Sequence, residues 1–275
     1  QVSHLNLVKT KFKMNQYNFL KFEVNDHIAK LTLNRPESMN ALNPPLWDSI
    51  IEAMREVRDN KEIWLAVITG AGDRAFCAGA DLKWRSQNEE TVKSHIKNEH
   101  DIFFNHPKFE LWKPVIAAVN GYAVGGGLEL ALACDLIVAS EDAKLGLPEP
   151  RRGLMADGGG IQGLIRQIPF KQAMEIILSG EFIDAKKGYE IGIVNRLSKK
   201  EDLMKEVNNL ADSILKCSPM AIQAAKQSSV LGKDMNYDDA RITEFSMFNK
   251  LKKSNDFVEG PKAFSEKRNP KWKSE

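Results

Sequence analysis

Several things are scarce in this chain, and each scarcity removes a class of function. No apolar run approaches the ~20 residues of a membrane-spanning helix, so no transmembrane segment and no membrane partner are expected. Cysteine occurs three times, at Cys77, Cys134 and Cys217, too few and too scattered for a disulfide framework or a thiolate zinc site. A reducing compartment is expected, the cytoplasm first, with the mitochondrial matrix and peroxisome left open. The five histidines sit in polar contexts away from the glycine-rich turns, so no metal set and no Ser-His-Asp triad emerge. A dominant charge is missing too. Thirty-nine basic and 37 acidic residues leave a net charge of +2, which supplies no field for nucleic acid. Residues 1–13 are polar and basic without an apolar stretch, unlike a signal peptide, and are expected to be a tail.

What is present reads as an α/β core followed by helices. Phe19–Val24 and Ile28–Leu33 alternate around Asn25-Asp26-His27, a hairpin pattern. A helix is expected from about Asn43, with Pro44 and Pro45 in its first turn. Leu65–Thr69 and Pro114–Val119 are short, continuously apolar strands of the doubly buried kind, and Asp135–Ala139 is a further strand. The polar segment up to His106 reads as mostly helical. After Phe170 the period turns helical, with one long helix over Tyr237–Leu251, one over Asn255–Arg268 and a lone strand at Ile193–Leu197. Residues 14–200 are expected to hold the core and the site, and 201–275 a helical oligomerisation region.

Two stretches are rich in bare backbone: Gly70–Leu82, and Asn120–Glu129 with its run Gly125-Gly126-Gly127. The second reads as strand, glycine turn, helix. N–H groups at a helix start can hold an anion, or an oxygen about to become one. A pair of donors near Ala80 and Gly126, each following a buried strand, makes an oxyanion hole. Glu129 lies among Leu128 and Leu130–Ala133, so the helix is apolar nearly all round. A buried carboxylate needs a partner or a task. Glu149 lies between two prolines. Asp157 opens a triple-glycine turn, where a helix cap and a site role are evenly matched. The glycine spacing fits neither a dinucleotide fingerprint nor a phosphate loop, and no serine stands at a nucleophile elbow. A stabilised oxyanion with carboxylate acid/base groups suits enolate chemistry on a thioester.

Ile68-Thr69-Gly70 with Phe76–Leu82, then Asn120–Glu129, then Leu147-Pro148-Glu149, resemble the crotonase (enoyl-CoA hydratase/isomerase) superfamily. Asn34-Arg35-Pro36 with Asn40-Ala41-Leu42 is similar to its N-terminal signature, and Ala263–Arg268 to its C-terminal one. The resemblance implies a spiral of ββα units with C-terminal helices that form a homotrimer, often a dimer of trimers. It implies an acyl-CoA thioester substrate, with coenzyme A entering only as part of it and no metal or redox cofactor. The oxyanion donors fall on Ala80 and Gly126. Met39, Ala41, Ala78 and Asp81 fall where the family holds coenzyme A, and Phe264 and Lys267 where it reaches the coenzyme A of a neighbouring subunit. Glu129 and Glu149 match the two glutamates of the hydratases, which implies reversible addition of water to a 2-trans-enoyl-CoA.

Asp157 departs from short-chain hydratases, which carry glycine there. An acidic residue eight positions after the second glutamate occurs in dienoyl-CoA isomerases and carnitinyl-CoA dehydratase-like members, so an isomerase or dehydratase using Asp157 is the alternative. A non-catalytic acyl-CoA-binding protein is the third reading, disfavoured by the intact glutamate pair. Arg151 and Arg152 read as a solvated pair. The acyl pocket is expected from Ser86–Phe109 and the C-terminal helices.

Overall fold

The structure, a computed structural model, describes residues 17–88 and 103–275. The expected tail and most of the polar segment before His106 lie outside them. β1 (Leu20–Asn25) and β2 (Ile28–Leu33) pair antiparallel. Asp26 and His27 both take positive φ, as a tight two-residue hairpin turn demands. Asn43 caps α1 (Pro44–Asp59), accepting from Leu46 N, and the two prolines occupy first-turn positions where no N–H is needed.

One unit then repeats three times. β3 (Leu65–Gly70), β5 (Val115–Val119) and β7 (Leu136–Ser140) run parallel in a large sheet. Each is followed by a short strand in a second sheet: β4 (Ala75–Cys77), β6 (Tyr122–Val124) and β8 (Lys144–Gly146). Each short strand leads to a helix: α2 (Leu82–Gln87), α3 (Gly126–Leu132) and, after a 3-10 turn over Glu149–Arg152, α4 (Gly160–Gln167). This is the expected ββα spiral. The stretch Asn120–Glu129 is therefore not a single turn, because β6 is inserted between strand and helix.

α5 (Phe170–Ser179), β9 (Ile183–Asp184) and α6 (Ala185–Glu190) follow. β10 (Arg196–Ser198) closes the large sheet in the order β1-β2-β3-β5-β7-β10. It starts later than its apolar run suggests. The amides of Ile193 and Val194 are spent on Gly188 O in a turn. α7 (Leu203–Leu215) lies across the sheet face carrying Leu65, Val67, Ile116 and Val138, while Ala66, Ile68, Ala117 and Ile137 face the main core. Both faces are covered, which is why β3 shows no polar alternation.

α8 (Pro219–Gly232) comes next. The single helix expected over 237–251 is two, α9 (Tyr237–Ile242) and α10 (Ser246–Lys252). Gln227 on α8 accepts from Met247 N at 2.7 Å, capping the second helix from outside. Met247 and Leu251 can then pack on α8 while Tyr237 and Ile242 face solvent. The chain ends in α11 (Asn255–Ser265) and a short tail. No helix among the described residues is long and apolar enough to cross a membrane.

Buried Asn120 ties the first two units together. Its Oδ1 accepts from Gly70 N at 3.2 Å, and its Nδ2 donates to Gly70 O and Gly72 O at 3.1 and 3.0 Å. Asn120→Ala strands the Gly70 groups where water does not reach, while Gly72 is exposed. A loss of about 2–4 kcal/mol is expected in urea denaturation. A loss below about 1 kcal/mol would mean that the turns hold without it.

Candidate active site

β4, β6 and β8 are parallel neighbours, with Cys77 opposite Ala123 and Val124 opposite Gly146. The segments that leave them therefore emerge at one edge of the small sheet. After β4, Gly79 turns at φ +85 and brings Ala80 beside the start of α3. A Cβ built on Gly79 would lie 2.9 Å from Gly126 N, and one on Gly126 would lie 3.6 Å from Ala80 N. Neither amide has a hydrogen-bond acceptor among the described residues. Two unengaged N–H groups side by side suit a single oxygen that gains charge.

The loop carrying Ala80 is laced to the 39–42 segment. Ala78 N donates to Met39 O at 3.0 Å, Leu42 N to Gly79 O at 2.7 Å and Asp81 N to Leu42 O at 2.9 Å. Arg35 buckles this seam, with Nη1 on Ala41 O at 2.6 Å and Nη2 on Asp81 Oδ2 at 2.9 Å. Asp81 also caps α2 through Trp84 N. Burial acts to raise its pKa, but the Trp84 N–H and the Arg35 guanidinium outweigh it and hold the carboxyl below its ordinary range. The four residues expected at coenzyme A thus meet in one seam, where the Asp81 side chain serves the loop itself.

Glu129, one turn into α3, reaches the triple-glycine turn. Gly160 N donates to its Oε1 at 2.9 Å. A Cβ on Gly158 would stand 2.7 Å from Oε2, and one on Gly160 would stand 2.8 Å from Cγ. These glycines are there to let Glu129 in. Asp157 is consequently no cap. Gly159 is the N-cap of α4 and no side chain bonds there, while Asp157 is exposed and lines the same cavity as Glu129.

Glu149 follows Pro148 into the 3-10 turn, and its buried Oε2 has no hydrogen-bond partner among the described residues. Burial raises its pKa, Arg152 opposes the rise and Asp157 adds to it. Arg151 and Arg152 separate. Arg151 pairs with Glu181 at 3.0 Å, whereas Arg152 lines the cavity beside Glu149.

The cavity holds about 490 Å³ and brings together Glu129, Glu149, Asp157, Ala80 and Gly126, within the range of ligand sites. Sequence reasoning missed much of its apolar wall: Trp47 stacked on Phe103 with centroids 5.0 Å apart, then Leu82, Leu154 and Met155. Leu154 and Met155 lie in a loop and carry no periodic signal, while Trp47 lies off the buried stripe of α1 (Leu46, Ile50, Met54, Val57) and Leu82 opens the short α2. Of the segment expected to form the acyl pocket, 89–102 lies outside the described residues, while Phe103 lines the cavity. Within one chain no residue of the C-terminal helices lines it. Phe264, 88% exposed, and Lys267, at φ +54 beyond α11, stand away from it.

Burial pushes the Glu129 pKa up to about 7. The Gly160 and Gly158 amides oppose the rise, and the charges of Glu149 and Asp157 add to it. Its ordinary value is 4.5, so between the two the folded chain keeps a proton that the unfolded chain has lost. Stability contributed by this group therefore falls as pH rises through that window. Glu129→Gln keeps an oxygen for Gly160 and removes the charge. It is expected to raise the unfolding free energy at about pH 8 by roughly 1–3 kcal/mol and to bring no gain near pH 4. Thermal melts at the two pH values check this, and a variant less stable at the higher pH would contradict it.

A ββα spiral with free amides and two half-buried glutamates around one cavity defines a protein of the crotonase superfamily. Over residues 23–275 the chain matches the enoyl-CoA hydratase/isomerase family model, and it belongs to that family. It is 40% identical over 252 residues to the (E)-benzylidenesuccinyl-CoA hydratase of Thauera aromatica, covering 91% of this chain and 97% of that enzyme. It is 36% identical over 250 residues to the carnitinyl-CoA dehydratase of Proteus mirabilis, covering 90% of this chain and 95% of that one. Among solved structures, the enoyl-CoA hydratase of Bacillus anthracis superposes with a TM-score of 0.85 at 33% identity, over 94% of this chain and all of that one.

Proposed function

We propose that the chain is a hydro-lyase that reversibly adds water across the Cα–Cβ bond of a 2-trans-enoyl-CoA. The convergence of Glu129, Glu149 and the amides of Ala80 and Gly126 on one cavity carries this reading. The thioester oxygen takes the two N–H groups, which stabilise the enolate formed when water attacks Cβ. Glu129, in its ionised form, removes the proton from water. Glu149, in its protonated form, shares that water through its unpartnered Oε2 and gives its own carboxyl proton to Cα, and the proton held by Glu129 returns to Glu149 before the next turnover. Of the seam, Ala78 lines the cavity, and coenzyme A would lie along Met39, Ala41, Ala78 and Asp81. Phe264 and Lys267 would meet it from a neighbouring subunit of a homotrimer, paired or unpaired, checked by light scattering. An acyl-CoA panel followed by mass spectrometry tests the reaction, with gain of one water on crotonyl-CoA as the expected result.

One observation favours a second reading. Asp157 is not a cap and shares the cavity with both glutamates, so a third carboxylate is available for proton transfer in double-bond migration or dehydration of a hydroxyacyl-CoA. Asp157→Asn decides. Loss of double-bond migration with hydration spared supports the second reading. A variant that only moves the acid limb of the rate profile to lower pH makes Asp157 a charge neighbour of the glutamates.

A further inference from the structure

A second hollow of about 150 Å³ lies behind the loop that carries Glu149. All its lining residues are apolar, among them Leu147, Pro150, Ile161, Ile177 and Leu178. Leu154 and Met155 line both this hollow and the catalytic cavity, so the two meet at that pair. The loop is held there by Leu154 N donating to Glu149 O at 3.0 Å. Leu154, Met155 and Leu178 are 40%, 61% and 70% exposed. Three large apolar side chains around one hollow leave an open surface that an occupant would cover.

We infer that the acyl group passes Leu154 and Met155 into this chamber, and that the preferred substrates carry a compact apolar substituent, ring-sized or branched, beyond Cβ. This rests on the hydro-lyase reading for the placing of Cα and Cβ at Glu149. An apolar cavity of ~150 Å³ accepts benzene, so the volume fits a ring of six carbons. A hydroxyl or charge at the same place would find no polar side chain in the wall to pair with.

Binding of 3-phenylpropanoyl-CoA and butanoyl-CoA, saturated and unable to take up water, is measured by calorimetry on the full chain. The phenyl compound is expected to bind at least about tenfold more tightly. Leu178 touches the chamber and not the catalytic cavity, and being exposed it tolerates replacement. Leu178→Trp, which fills the hollow, and Leu178→Asp, which charges its wall, are both expected to erase most of that preference. No preference in the wild type, or a preference that survives both variants, overturns the chamber. A changed oligomeric mass with the preference intact assigns the patch to a second copy of the chain and also overturns it. Crotonyl-CoA hydration on the same preparations separates the two readings. Preference without hydration leaves the chamber standing and removes the hydratase, and hydration without preference does the reverse.

Discussion

Crotonyl-CoA hydration by Glu149→Gln is expected to fall by about 10²–10⁴-fold in kcat, with KM little changed. The amide matches the carboxylate in shape, so the 3-10 turn and its neighbours should hold. What it lacks is an acidic proton to give to Cα. Glu149 is the more sensitive of the two glutamates for a geometric reason. Glu129 Oε1 is already engaged by Gly160 N, whereas Glu149 Oε2 is buried with no hydrogen-bond partner among the described residues. An unpaired acceptor in a dry place costs free energy unless water or substrate completes it. Burial also raises the Glu149 pKa, moving a carboxyl toward the range in which it can donate as well as accept. Melting of the variant beside the wild type separates chemistry from folding. Undiminished turnover in a folded variant would remove Glu149 from the reaction and with it the hydration mechanism.

The pH profile follows from Glu129. Its pKa near 7 leaves it protonated on the acid side, so kcat/KM is expected to rise through about pH 7 as the base ionises. The charge that lowers stability in that window is the charge the reaction uses, so the site's chemistry and its cost to the fold share one group.

How far this was legible from residues alone varied with the kind of signal. Doubly buried strands such as Leu65–Gly70 and the capped start of α1 carry their own local pattern, and both stand where that pattern puts them. Three-residue strands carry none. β4, β6 and β8 exist because parallel neighbours complete them, yet they set the parallel exits that gather the site. Asp157 was undecidable for a similar reason. Asp before a glycine turn and a helix is the ordinary sign of a cap, and only the approach of Glu129 from α3, thirty-one positions from Gly160, explains the glycines otherwise. Arg35 and Asp81 pair across forty-six positions, a contact that no local period announces.

Gly79→Ala carries the other large expectation. At φ +85 an alanine pays about 1–2 kcal/mol for the left-handed backbone. Its Cβ would then lie 2.8 Å from Val124 O and 2.9 Å from Gly126 N, both backbone atoms that cannot swing aside. The loop must move away from α3, which parts the two N–H groups. Loss of one well-placed donor costs about 10²–10³-fold in kcat, and a fall of that size per folded molecule is expected here. Gly126→Ala is the matched control. There the nearest atom is Leu42 Cδ1 at 3.3 Å, the end of a flexible side chain, and Gly79 Cα follows at 3.5 Å. A methyl group at Gly126 needs only a small shift of leucine, so its effect should be at least about tenfold milder, since a flexible side chain yields more cheaply than backbone. Equal losses in the two variants would mean that the spacing of Ala80 and Gly126 is not what holds the oxygen.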